Sequence, residues 1–157
     1  MDMVKIRVTK EFGFESSHAL QGYDGLCRNI HGHSYRLLVT ISGTPVNEPQ
    51  NPKNGMVMDF GDLKKIVREE IVNVYDHCII INEDSLPEQK EGLKKITERI
   101  ICAPYQPTCE NMVFDFATKI KNKLPENVRL ERVVLYETPS SNAEWLCSDN
   151  EDDENQV

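Results

Sequence analysis

The chain has 157 residues, enough for one domain whose core buries about two-thirds of the surface that the unfolded chain exposes. No apolar run approaches the ~20 residues of a membrane-spanning helix. The formal charge of -8 and the lack of a basic stripe argue against nucleic-acid binding, which draws on counterion release from phosphates, so a small-molecule ligand is expected.

The opening segment "MDMVKIRVTKEFGF" lacks a basic region followed by an apolar block and a small-residue cleavage site, so a cytoplasmic protein is expected. From Val4, apolar residues alternate with polar ones towards Phe12 and Phe14, the period of a half-buried strand. "SSHALQGYDGL" breaks this pattern and reads as a loop. A second strand follows in "HGHSYRLLVTISG", where His31, His33, Tyr35, Leu37, Val39 and Ile41 share one face.

"TPVNEPQNPKNG" is a connection, and "MVMDF" delivers Asp59 to a helix start, where a carboxylate accepts backbone N–H bonds. Phe60, Leu63, Ile66, Val67, Ile71 and Val74 recur at helical spacing, with an end expected near Tyr75. "DHCIIIN" and the charged stretch after it offer a short extended piece and a short surface helix. Thr108 is the expected N-cap of a helix burying Val113, Phe116, Ala117, Ile120 and Leu124. "VRLERVVLYE" reads as the last strand. The expected fold class is α+β, an antiparallel sheet with two helices on one face. Residues 1–147 are expected to form one domain, and the acidic tail 148–157 to be disordered.

The five cysteines, an odd number without a C-x-x-C pair, fit neither a disulfide framework nor a zinc ribbon. His31 and His33, at i and i+2 on one strand face, can direct their rings at one ion, and His18 ends the preceding strand, from which a hairpin partner reaches the same point. Three neutral imidazoles around Zn²⁺ leave a fourth position open, as in catalytic sites. Two blander readings stand beside this one. Strand histidines also serve as hydrogen-bonded, half-buried residues, and Cys27 could close the tetrahedron of a structural site. Asp76 beside His77 pairs a carboxylate with an imidazole, although such dipeptides are more often plain surface residues.

Together, C-x-x-x-H-G-H, the preceding "FESSH", "VMDF", "DH" before an apolar run, "PTCEN" and the closing "YETPSSNAEW" resemble the 6-pyruvoyl-tetrahydropterin synthase / 6-carboxy-5,6,7,8-tetrahydropterin synthase family, from about residue 4 to about residue 147. The three residues between Cys27 and His31 are similar to the 6-carboxy branch, of the queuosine pathway; the biopterin branch usually has five.

The resemblance implies that His18, His31 and His33 bind Zn²⁺, that Cys27, Asp76 and His77 transfer protons, and that Thr108, Glu110 and Glu137 hold the pterin. A carboxylate suits that last role, since the 2-amino and N3–H edge of a pterin presents two donors together. The resemblance also implies a tunnelling-fold (T-fold) barrel formed by oligomerisation, a homo-oligomer (trimer or hexamer) with active sites at subunit interfaces. The connection from Glu83 to Arg99 is longer than the resemblance leads one to expect, and Cys78 and Cys109 are read as packing residues.

The expected activity is conversion of 7,8-dihydroneopterin triphosphate to 6-carboxytetrahydropterin, acetaldehyde and triphosphate. The alternatives are the 6-pyruvoyl reaction and a non-catalytic pterin- or purine-binding zinc protein. No G-x-G-x-x-G turn follows a strand, in keeping with a reaction that needs no nicotinamide.

Overall fold

The computed structural model describes residues 4–150. Two long strands, β1 (Ile6–His18) and β2 (His31–Gly43), form an antiparallel pair in unbroken register from Ile6 opposite Gly43 to His18 opposite His31. In β1 the buried positions are Phe12, Phe14, Ser16 and His18, with exposed or half-buried residues between them, so the strand continues through "SSH", where a loop was expected. The reason is pairing: Ser16 and Ser17 are held by β2 on one side, and both hydroxyls donate to the Cys78 carbonyl on the other.

After the connection comes α1 (Phe60–Val67), capped by the Asp59 carboxylate, which accepts from the Gly61 N–H at 2.6 Å. It runs through a π-helical turn (Arg68–Val72) into a last helical turn, α2 (Asn73–Tyr75). Leu63, Val67 and Ile71 are buried as expected, whereas Phe60 and Val74 are exposed. A π turn takes an extra residue per turn. The apolar stripe therefore slips by one position, and Tyr75 enters the core in place of Val74. Phe60, at the first position of α1, lies outside the core, with the Lys10 ammonium 5.7 Å from its ring centre.

The remaining elements are β3 (Cys78–Asn82), α3 (Pro87–Lys94), β4 (Ile100–Ala103), α4 (Cys109–Lys121), β5 (Arg129–Thr138) and β6 (Ser141–Leu146). The strand order is β4-β3-β1-β2-β5-β6. The sheet is thus mixed rather than antiparallel throughout: β1, β2, β5 and β6 pair antiparallel, while β3 runs parallel to both β1 and β4. Residues 78–81 are buried at every position, which is how a strand covered on both faces reads.

The helices from Phe60 to Tyr75 and α4 share one core with the sheet, centred on Phe14, Tyr35, Leu37, Phe116 and Leu135. The short surface helix expected in the charged stretch is α3, and it covers the opposite face at the parallel edge, where Leu93 packs on Ile79 and Ile81. Of the tail expected to be disordered, Ser148 and Asp149 lie in a short 3-10 turn (Cys147–Asp149) closed by Asn150 onto the Leu146 carbonyl. Residues 151–157 lie outside the described part. Among the described residues, no helix is long and apolar enough to cross a membrane.

Candidate active site

The core face of the sheet changes character towards one end. Along β2 the inward residues run from Ile41, Val39 and Leu37 through Tyr35 to His33 and His31, and along β1 from Phe12 and Phe14 to Ser16 and His18. The antiparallel register sets His18 directly opposite His31 and Ser16 opposite His33. Three imidazoles thus meet at the end of the core, with ring centres 4.5 to 5.1 Å apart. One ring nitrogen from each lies within 4.8 Å of the other two.

Hydrogen bonding fixes which nitrogens converge. His18 Nδ1 lies 2.7 Å from the Pro107 carbonyl and His31 Nδ1 lies 2.8 Å from the Asn29 carbonyl. A carbonyl only accepts, so both Nδ1 atoms carry the proton and both Nε2 atoms keep a lone pair. Those two Nε2 atoms are 3.0 Å apart, a repulsive approach unless a cation lies between the lone pairs. His33 Nε2 is buried without a hydrogen-bond partner. Burial holds His18 below the usual imidazole range, outweighing the Pro107 carbonyl, which pulls the other way. His33 is also lowered by burial, against the pull of the Glu137 carboxylate. Neutral imidazoles with converging lone pairs are the donor set that a metal ion requires, so these residues fit one.

Glu137, near the end of β5, places Oε1 3.5 Å from His18 Nε2 and 3.6 Å from His33 Nε2. It lines a cavity of about 280 Å³ together with His18, Cys27, Thr108 and Glu110. Thr108 caps α4 as expected, its hydroxyl accepting from the Asn111 N–H at 3.3 Å. That cap brings Glu110, in the first turn of α4, to the same rim. Cys27 reaches the cavity from a short 3-10 turn (Leu26–Arg28) held by the Leu20 N–H on the Cys27 carbonyl at 3.0 Å, and it is exposed. Two further thiols are hydrogen-bonded to backbone carbonyls: Cys78 is buried, and Cys109 is half-buried at the wall of the same cavity as Cys27. Cys78 donates to the Tyr75 carbonyl at 2.9 Å, and burial raises its pKa. Cys109 donates to the Leu135 carbonyl, and burial pushes it up to about 11.

Asp76 and His77 lie elsewhere. His77 Nδ1 stands 3.0 Å from Asp76 Oδ2, while Asp76 Oδ1 accepts from the Glu15 N–H at 2.9 Å. That backbone bond is the main reason the Asp76 carboxyl sits below the ordinary carboxylate range. His77 has a φ of 57°, the left-handed region that costs a non-glycine residue about 1–2 kcal/mol. It lines a separate cavity of about 520 Å³ with Ser17, His33 and Ile96. Within one chain, Cys27 and His77 therefore do not face a common cavity. The Pro107 and Asn29 carbonyls that orient the imidazoles were not among the expected site residues, because no sequence motif marks which backbone carbonyl a distant ring will find.

A sequence model of the family described as 6-pyruvoyl tetrahydropterin synthase matches residues 7–146. A Haemophilus influenzae protein named 6-carboxy-5,6,7,8-tetrahydropterin synthase is 34% identical over 141 residues, covering 88% of this chain and 97% of the relative. An Aquifex aeolicus protein of the same name is 30% identical, covering 90% and 98%. Among solved structures, an uncharacterized protein of Wolinella succinogenes superposes with a TM-score of 0.72 at 23% identity, covering 92% of this chain and 99% of that one. The 6-pyruvoyl tetrahydropterin synthase of Caenorhabditis elegans does so with a TM-score of 0.65, also at 23% identity, covering 92% and 96%.

Proposed function

The chain belongs to the 6-pyruvoyl tetrahydropterin synthase family, and from that premise we propose that it is a zinc-dependent 6-carboxy-5,6,7,8-tetrahydropterin synthase acting on 7,8-dihydroneopterin triphosphate. The observation that carries this reading is the cavity in which Cys27, Thr108, Glu110 and Glu137 surround His18 of the three-imidazole cluster. The 6-carboxy branch is favoured by the three-residue spacing between Cys27 and His31 and by the names of the H. influenzae and A. aeolicus relatives.

His18, His31 and His33 hold the zinc, which when bound supplies Lewis acidity to the side-chain hydroxyls of the substrate. Glu137, with Glu110 and Thr108, accepts from the donor edge of the pterin ring and orients the substrate in the cavity that these residues line with His18 and Cys27. Cys27, exposed at the same cavity, takes and returns the proton at the substrate side chain. The Asp76–His77 pair is the second proton-transfer group, its imidazole oriented by the carboxylate. Because one chain presents Cys27 and His77 to different cavities, the working site takes the pair from a neighbouring copy, in a homo-oligomer with active sites between subunits.

The test is incubation of the metal-loaded protein with 7,8-dihydroneopterin triphosphate, reading released acetaldehyde and pterin mass. Acetaldehyde with the 6-carboxy product is the expected result. A 6-pyruvoyl product without acetaldehyde would assign the sister reaction, and unchanged substrate would leave a binding protein.

A further inference from the structure

Arg99 stands immediately before β4, and its guanidinium lies against the end of the helix that leads to Asp76. Nη2 donates to the carbonyls of Asn73 at 3.0 Å and Val74 at 3.2 Å, and Nε donates to the carbonyl of Asp76 at 3.2 Å. The first two contacts are what a cation at a helix C-terminus makes anywhere. The third is different, because Asp76 has left the helix with an extended backbone, φ -65° and ψ 131°.

The carbonyl of Asp76 and the N–H of His77 belong to one peptide group. That N–H donates to the Glu15 carbonyl at 2.6 Å. A single peptide is therefore held at both ends, by the side chain of Arg99 and by the main chain of β1. The residue that follows it is His77, the one non-glycine residue at positive φ among those described. Such a conformation persists only where the surroundings over-determine it. Rotation of the preceding peptide is the local way out, and it would break a charge-assisted hydrogen bond to Arg99. On the far side the chain is fixed as well, since Cys78 enters β3 in register with Ser16.

We propose that Arg99 is a positioning residue for the Asp76–His77 pair, holding the peptide between them so that the imidazole projects from a left-handed backbone into the cavity it lines. The inference rests on the reading of that pair as a proton-transfer group. It gives the long connection that ends at Arg99 a task, since that segment delivers the guanidinium to the pair. A planar guanidinium serves three carbonyls at once, whereas a lysine ammonium at the same place is a point donor without the fork.

Steady-state kinetics with 7,8-dihydroneopterin triphosphate on the metal-loaded oligomer test this, using Arg99→Ala, Arg99→Lys, His77→Gln and the Arg99→Ala/His77→Gln double variant, with metal content and melting temperature measured on each. Arg99→Ala is expected to lower kcat about 10- to 100-fold, the scale of a misplaced catalytic group, with KM and metal content unchanged. Arg99→Lys should fall between it and the parent. In the His77→Gln background the Arg99→Ala change should have little further effect, because both act through one group.

A kcat for Arg99→Ala within twofold of the parent overturns the positioning role and leaves the catalytic pair standing. So does a loss that persists in full in the His77→Gln background, or one that tracks loss of metal or of fold. A His77→Gln variant with parental kcat overturns the assignment of the pair, and the positioning role with it. A parent protein without turnover overturns both.

Discussion

His18 is almost completely buried, with one ring nitrogen against the Pro107 carbonyl and the other against His31. Remove His31 and the buried lone pair of His18 loses the arrangement that a cation bridges. His31→Ala is accordingly expected to lose both bound metal and turnover, whereas Cys27→Ala keeps its metal and loses turnover by about 10²- to 10⁴-fold, the usual worth of a general acid or base. Metal analysis beside the acetaldehyde assay reads both, and metal loss from Cys27→Ala would point to a closed structural site instead. Asp76 carries a pH signature. Its carboxyl is depressed chiefly by the Glu15 N–H, then by His77 and Arg99, so the ionised form is favoured in the folded chain. Its stabilising contribution is therefore fully present above the ordinary carboxylate value and is lost as pH falls through the depressed one. Denaturant titrations from pH 6 downwards should show a shallower loss of stability in Asp76→Asn than in the parent. At this scale the histidine cluster was legible, because H-x-H puts two rings on one face and an antiparallel partner can only bring a third across. Arg99 was not, since its partners lie more than twenty residues away and are backbone carbonyls.

The elements divide along the same line between local and distant causes. β1, β2 and α4 could be read from their apolar periods and the Thr108 cap, which depend only on neighbouring residues. The π turn could not, because "REEIV" carries no local mark of the extra residue that rotates Val74 out and Tyr75 in. The apolar run at residues 78–81 is too short to tell strand from buried helix by period. In β6, Trp145 is the one buried side chain, so its pairing with β5 is set by the turn and by ladder bonds. The Asp59 cap gives a direct test of the local part. Asp59→Ala removes the acceptor of the Gly61 N–H at the start of α1 and should lower the melting temperature measured in a thermal scan. Phe116 tests the packed part: fully buried, in ring contact with Phe14 and Tyr75, it should lose about 3–5 kcal/mol on replacement by alanine.

The whole molecule has a sheet whose strands are unequally partnered. β1 is paired by β2 along its full length, but β3 meets it only from Ser16 to His18. Among the described residues no strand lies beside the rest of that side, and β6 ends the sheet at the other edge. Open edges of this kind invite pairing with another chain, in agreement with the proposed sharing of sites between copies. Light scattering is expected to give a trimer or hexamer of the 18.0 kDa chain, and a monomer retaining full turnover would contradict the shared site.

The one-sided pairing of β1 also has a spectroscopic consequence. Glu15 directs both its N–H and its carbonyl towards the Asp76–His77 side, and in an unbulged strand every second residue points the same way. The amides of Arg7, Thr9, Glu11 and Gly13 thus face the open side, while those of Val8, Lys10, Phe12 and Phe14 face β2. In a lone chain, deuterium uptake along this strand would alternate residue by residue, fast and slow. In an assembled ring the fast set would slow down, so four backbone protons in the first fifteen residues report whether the subunits have joined.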